Sequence, residues 1–303
     1  MSAAKPTRTG VEDDYCRQKA GSVGSTTYYC LRFSPPRARR GLTALYALKQ
    51  ELDEVVEECT ELGVAERKLD FWAHNLQHLF AESRPASEAE AGHLQHPVMR
   101  GLSELVGSGS LRQTDLTAIL AATHDRLRTP QILSESELMQ ICQLTAGQFA
   151  RIGLRHMLEC RLTALPPWSI GDETKARDAG AILERVRLLW PAQRAGLPPH
   201  SSVPRDLLVE FDVDRTALDR DVGGEPGSGL KAMMTRVLAQ LDDAVAHRTA
   251  ELERDPTLRA HSGFLRGQLH IAQRELARAR QRERHRLEPL LPIEKLWLAW
   301  RQR

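Results

Sequence analysis

The chain has 303 residues, 41% hydrophobic and 27% charged, with 42 Lys plus Arg against 40 Asp plus Glu for a net charge of +2. That composition buries a core without disulfide or metal staples, and it excludes a disordered chain, a polytopic membrane protein and a polyanion-binding tail, so no nucleic-acid partner is expected. The five cysteines, Cys16, Cys30, Cys59, Cys142 and Cys160, are odd in number and form no C-x-x-C pair. They read as reduced thiols, and without an apolar leader or a long apolar run the expected location is cytoplasmic, with peripheral membrane contact left open.

In chain order, residues 1–10 are polar and basic and read as a disordered tail, with one domain over 11–303. Ser34-Pro35-Pro36 supplies a helix start, and Leu42, Leu45, Tyr46, Leu48, Leu52, Val55 and Val56 recur at three-and-four spacing, predicting a helix over 38–62. Further helices are predicted over 65–81, 98–106, 112–127, 135–162, 172–189, 230–253 and 258–287. The breaks fall at Ser83-Arg84-Pro85, Gly107-Ser108-Gly109, Pro166-Pro167, Gly196 to Pro199, the glycine-rich stretch at 223–229, and Pro289 with Pro292. Period-2 runs of β-branched and aromatic residues are missing and no repeat recurs, which predicts a single all-α domain.

The helix over 38–62 carries the chemistry-bearing pattern. Asp53 and Glu57 are four residues apart, so both carboxylates project from one face, a spacing that suits a hard divalent cation such as Mg2+. The same spacing is common on solvated helix faces, and by itself it does not separate the two readings.

An ordered set of motifs adds to this. Gly24-Ser25-Thr26-Thr27-Tyr28-Tyr29 is followed by Ser34-Pro35-Pro36-Arg37-Ala38-Arg39-Arg40, then by Leu45-Tyr46-Ala47-Leu48 leading into Asp53-Glu54-Val55-Val56-Glu57. His96-Pro97-Val98, Ala146-Gly147, Val203-Pro204-Arg205-Asp206-Leu207-Leu208 and Lys295-Leu296-Trp297-Leu298 come later in the chain. In this order the set resembles the squalene/phytoene synthase family over nearly the whole length. The resemblance implies an all-α, single-domain helical bundle of the isoprenoid-synthase type around an apolar cavity. It also implies Mg2+ held between two carboxylate-bearing helices for joining prenyl diphosphates. Asp53, Glu54 and Glu57 then stand at a partial or vestigial metal site, and Arg39 and Arg40 at diphosphate-binding positions or at an exposed basic helix start. Tyr28, Tyr29, Tyr46 and Phe149 line the cavity or pack the core.

The second metal motif of the family is lost. Its two aspartate positions fall on Pro191 and Ala195, its Asn position on Arg187, and residues 185–205 contain no Asp or Glu in any register. The Arg of the first motif is Gln50, and Ala146-Gly147-Gln148-Phe149-Ala150 carries larger side chains where the family packs helices closely. The expectation is a degenerate, non-catalytic relative that binds a prenyl diphosphate, another lipid or a protein partner. The alternative is an active Mg2+-dependent prenyltransferase using Asp53, Glu54 and Glu57.

Other features read more blandly. His74 and His78, with His93 and His96 following, lack the Glu that a helical zinc-hydrolase motif needs. Asp212, Asp214, Asp242 and Asp243 read as polar surface positions, and the 223–229 stretch lacks the strand and the Lys-Ser/Thr ending of a phosphate loop. The end of the sequence sets Trp297 and Trp300 beside Arg301 and Arg303, a composition suited to a membrane surface or to docking on the core.

Overall fold

The computed structural model describes residues 8–82, 96–129, 131–160, 169–188, 203–214, 227–281 and 288–303, and every regular element in them is a helix. Helix α1 (Arg8–Ala20) begins inside the stretch read as a tail. Helix α2 (Thr26–Phe33) is opened by Ser25, whose hydroxyl accepts from the Tyr28 backbone N–H at 3.2 Å. The preceding turn runs through Gly24 at φ +99°, a conformation that costs a glycine little and any other residue much more.

Helix α3 (Pro36–Glu58) starts on a proline, whose missing N–H is no loss in the first turn. Its Leu42, Leu45, Leu48, Leu52 and Val55 are buried. Each such side chain contributes about 1.5–3 kcal/mol by leaving water, so α3 becomes the central rod against which α1, α5 (Pro97–Gly107) and α8 (Ala146–Glu159) pack. Helices α4 (Leu62–Glu82) and α6 (Gln113–Arg128) close that side.

The pattern over 135–162 is two helices, α7 (Glu135–Leu144) and α8, broken at Thr145, whose φ of −107° and ψ of −97° leave the helical region. Past the break α8 runs along α9 (Ile170–Leu188) at close range. The approach needs glycine on both sides: a Cβ on Gly180 would overlap that of Ala150, and one on Gly147 would press on the Arg177 carbonyl. Across the same junction Arg155, buried, bonds Asp115 of α6 at 2.8 Å and Glu173 of α9 at 3.0 Å, while Arg151 pairs with the same two carboxylates.

The remaining described helices are α10 (Arg205–Glu210), α11 (Ser228–Arg254), α12 (Pro256–His261), α13 (Gly263–Gln281) and α14 (Pro292–Arg301). The pattern predicted as one helix over 258–287 is interrupted at Ser262, and residues 282–287 lie outside the described residues. Two main apolar clusters result, one built around α3 and one between α9, α11 and α13, with α8 contributing to both. A cleft opens where α3 faces α9 and α13.

Candidate functional site

The four-residue spacing of Lys49, Asp53 and Glu57 stacks them on one face of α3, and that face looks onto Glu184 and Arg187, one turn apart on α9. Lys49 Nζ donates to Asp53 Oδ2 at 2.6 Å and to Glu184 Oε2 at 2.9 Å. Arg187 Nη2 donates to Glu184 Oε1 at 2.5 Å and to Glu57 Oε1 at 2.6 Å, with Asp53 at 3.8 Å. Three carboxylates and two cations thus form one closed network across the cleft.

The network sorts its acids. Burial pushes the Glu184 carboxyl up, but Arg187 and Lys49, both in direct contact, overcome it and hold the group well below the usual carboxylate range. Burial raises Asp53, and although Lys49 and Arg187 oppose it, the nearby Glu184 and Glu57 charges leave it above its ordinary value. Lys49 is destabilised by burial and more than recovered by Asp53 and Glu184, so its ammonium is held charged. A second set hangs on the α1 side of α3. Lys19 pairs with Glu54 at 2.5 Å and Glu51 at 3.2 Å, Tyr15 donates to Glu51, and Gln50 donates to Glu54 at 3.1 Å.

A divalent cation needs free carboxylate oxygens at about 2.0–2.1 Å in near-octahedral array. Here Asp53 Oδ2, Glu57 Oε1 and both Glu184 oxygens are engaged by Lys49 and Arg187, and Glu54 Oε2 is engaged by Lys19. Among the described residues no three His, Cys, Asp or Glu side chains gather closely enough to hold a metal. The donor set as arranged does not fit Mg2+; side-chain cations already occupy the space between its carboxylates.

The cleft has a volume of about 340 Å³. Ala20, Ala146, Leu183, Val186 and Ala272 supply apolar wall, and the charged groups Lys49, Asp53, Glu184, Arg187, Glu275 and Lys295 face the same space. Tyr46 stands at its wall in edge contact with Phe264 at 4.8 Å between ring centres, and burial, opposed by Gln268, pushes its phenol up to about 12. Beyond the ion network lies a much smaller space of about 60 Å³ beside Leu52, Cys142 and Phe149. Phe149, 2% exposed, forms part of its wall.

Of the residues given a metal, diphosphate or cavity role from the sequence, the structure brings Asp53, Glu57, Tyr46 and Phe149 to these two spaces, where the motif residues Gln50, Ala146, Arg187 and Lys295 also stand, and sets the others elsewhere or outside the described residues. Arg39 and Arg40 line a separate pocket with Arg17, Arg100, Pro36 and Pro97; Arg39 donates to the Ser34 carbonyl at 2.9 Å and Arg40 to Asp13 at 3.2 Å. Tyr28 and Tyr29 pack on each other edge to face, in the core cluster around α3. Pro191 and Ala195 lie outside the described residues, as do His93 and most of the 223–229 stretch. His74 and His78 touch each other at an exposed position, Asp242 pairs with Arg280, and His96 caps α5, accepting from the Val98 N–H at 3.3 Å. The residues that sequence reasoning passed over are Lys49, Glu184 and Lys19. Glu184 sits one residue before the acid-free window, and its one signal was its place on the α9 face that carries Arg187.

A segment of 138 residues is 26% identical to presqualene diphosphate synthase of Zymomonas mobilis subsp. mobilis, covering 45% of this chain and 43% of that protein, so the match spans less than half of the relative's length. A dehydrosqualene synthase solved in complex with a ligand superposes with a TM-score of 0.71 at 16% identity, over 97% of this chain and 96% of that one. Squalene synthase HpnC from Alicyclobacillus acidocaldarius gives 0.66 at 15% identity, over 92% and 97%. YisP from Bacillus subtilis subsp. subtilis strain 168 gives 0.59 at 11% identity, over 98% and 99%. These likenesses fix the fold as the isoprenoid-synthase bundle. With the Squalene/phytoene synthase profile matching residues 20–297, the chain belongs to that family.

Proposed function

We propose that this chain is a non-catalytic member of its family, which keeps the cleft as a binding site for a prenyl or other lipid chain and has replaced the metal clamp with an internal salt bridge. The observation that carries this reading is the double engagement of Glu184 by Lys49 and Arg187, at 2.9 and 2.5 Å, with Asp53 and Glu57 held by the same two cations. Diphosphate departure needs positive charge free to meet the leaving group. Here the cations are committed to carboxylates, and residues 185–205 offer no acid to recruit a metal in their place. The cleft, at about 340 Å³, falls within the range of small-ligand sites, roughly 300–1,000 Å³.

One observation favours a second reading. Glu184 faces Asp53 from the opposite helix, so acids do stand on both sides of the cleft, as a Mg2+-dependent synthase condensing prenyl diphosphates requires. Incubating pure protein with farnesyl or geranylgeranyl diphosphate and Mg2+ separates the two. The expected result is no release of diphosphate, together with a lipid that co-purifies and is seen by native mass spectrometry. Turnover that disappears in Asp53→Ala would overturn the non-catalytic reading.

A further inference from the structure

Helix α14 is anchored on one side and bare on the other. Lys295 and Ala299 are buried against α13, with Lys295 Nζ 3.4 Å from Glu275 and Glu294 accepting from Arg278 at 2.6 Å. The opposite face presents Ile293, Trp297 and Trp300, spaced by four and three residues and so aligned as one stripe, with Leu291 at its start. These are among the most exposed large apolar side chains in the described residues: Leu291 62%, Ile293 66%, Trp297 51% and Trp300 44%. The sole acid of the helix, Glu294, is spent on Arg278 and on capping the Leu291 N–H at 2.9 Å, so the exposed face carries no negative charge.

Beside the stripe lies an open groove of about 770 Å³ whose walls include Arg254, Arg259, Arg266, His270, Arg301 and Arg303. Its one acid, Glu253, is already bonded to His270 at 3.0 Å and lies 3.7 Å from Arg266. Arg301 joins groove and stripe: it lines the first, and its guanidinium stacks over Trp297 at 4.8 Å from the ring centre, as that of Arg303 stacks over Trp300 at 5.2 Å. Indole rings beside guanidinium groups are amphipathic pairs, suited to a boundary where phosphate oxygens meet hydrocarbon.

We propose that this surface docks the protein on an anionic phospholipid membrane, with Ile293, Trp297 and Trp300 entering the acyl boundary and the arginine groove meeting the lipid phosphates. The occupant is a lipid surface because the patch couples an excess of positive charge, five arginines against the single acid Glu253, to an apolar stripe that lies flat on the bundle. No described helix is long and apolar enough to cross a bilayer, so the contact is peripheral. The site is separate from the cleft between α3 and α9, and it stands whether or not that cleft is catalytic.

Co-sedimentation of the full chain with vesicles of phosphatidylcholine alone, or with added phosphatidylglycerol, tests this. The expected result is binding to the anionic vesicles only, with a blue shift of tryptophan emission and release by high salt. Arg301→Gln and Arg303→Gln should each weaken partitioning by about fivefold, and Trp297→Ser with Trp300→Ser should abolish both binding and blue shift. Circular dichroism and thermal midpoint serve as folding controls, and the single Trp300→Gln replaces the double variant if that one unfolds. Absence of binding to anionic vesicles at low salt, equal binding to neutral ones, or binding undiminished in the folded variants would each overturn the proposal, the last by assigning the contact to another surface.

Discussion

Arg187→Met tests whether side-chain cations hold the acids of the cleft together. The change removes the donor that contacts Glu184 at 2.5 Å and Glu57 at 2.6 Å and leaves three carboxylates facing Lys49 alone. Removing one partner of a buried ion pair costs about 3–5 kcal/mol, because the other is left unpaired. Arg187 is 37% exposed and water screens part of that loss, so about 2–3 kcal/mol is expected here. For a chain of 303 residues the thermal midpoint should then fall by roughly 3–5 °C. The same substitution frees carboxylate oxygens that a divalent ion could bridge. Mg2+ should therefore restore part of the midpoint in Arg187→Met while leaving the parent protein unchanged, as read by calorimetry with and without the ion. A parent midpoint that rises with Mg2+ as much as the variant's, or a variant as stable as the parent in its absence, would refute the reasoning.

The two acids that share Lys49 should behave oppositely. Glu184, held below its ordinary value of 4.5, contributes stability that is present above that pH and is lost as the pH falls toward its depressed value. Glu184→Gln should cost about 3–5 kcal/mol at neutral pH and flatten the acid limb of a denaturation series. Asp53, raised by burial, destabilises the fold when charged and is relieved as the pH falls, so Asp53→Asn should cost less than about 1 kcal/mol at pH 7 in the same titration. Gly180→Ala sets a methyl into Ala150 at the α8–α9 contact and should cost about 1–3 kcal/mol in a urea titration. Phe149→Ala should cost about 3–5 kcal/mol and join the small space beside Cys142 to a larger cavity, readable as a gain in binding of an apolar dye.

Much of the bundle was legible because burial writes itself as periodicity. Helices α3 to α6, α9 and α11 follow their apolar spacing, and their start signals hold to within a few residues. Helix α1 escaped for the complementary reason: Arg8–Ala20 is polar almost throughout, and it is positioned by burial of Cys16 and Ala20 and by Lys19 reaching Glu51 and Glu54 across to α3. Helix α2 is only 8 residues long, too short to display a period. The break at Thr145 could not be read either, since nothing in the local sequence stops a helix there; it belongs to the close passage of α8 along α9, where Gly147 and Gly180 meet partners some thirty residues away.

The site divides along the same line. Asp53 and Glu57 on one face follow from spacing within a helix, and the missing acids of 185–205 follow from counting. Neither observation says what Asp53 and Glu57 are paired with across the cleft. Lys49 looks like an ordinary helix charge until Glu184, 135 residues later, is found 2.9 Å from it, and Arg187 looks like a lost Asn until it is found on Glu57, 130 residues earlier. The two facts constrain each other. Three acids crowded in a partly buried cleft repel one another unless they protonate or are met by positive charge. Lys49 and Arg187 supply that charge from opposite walls, one cation on each helix.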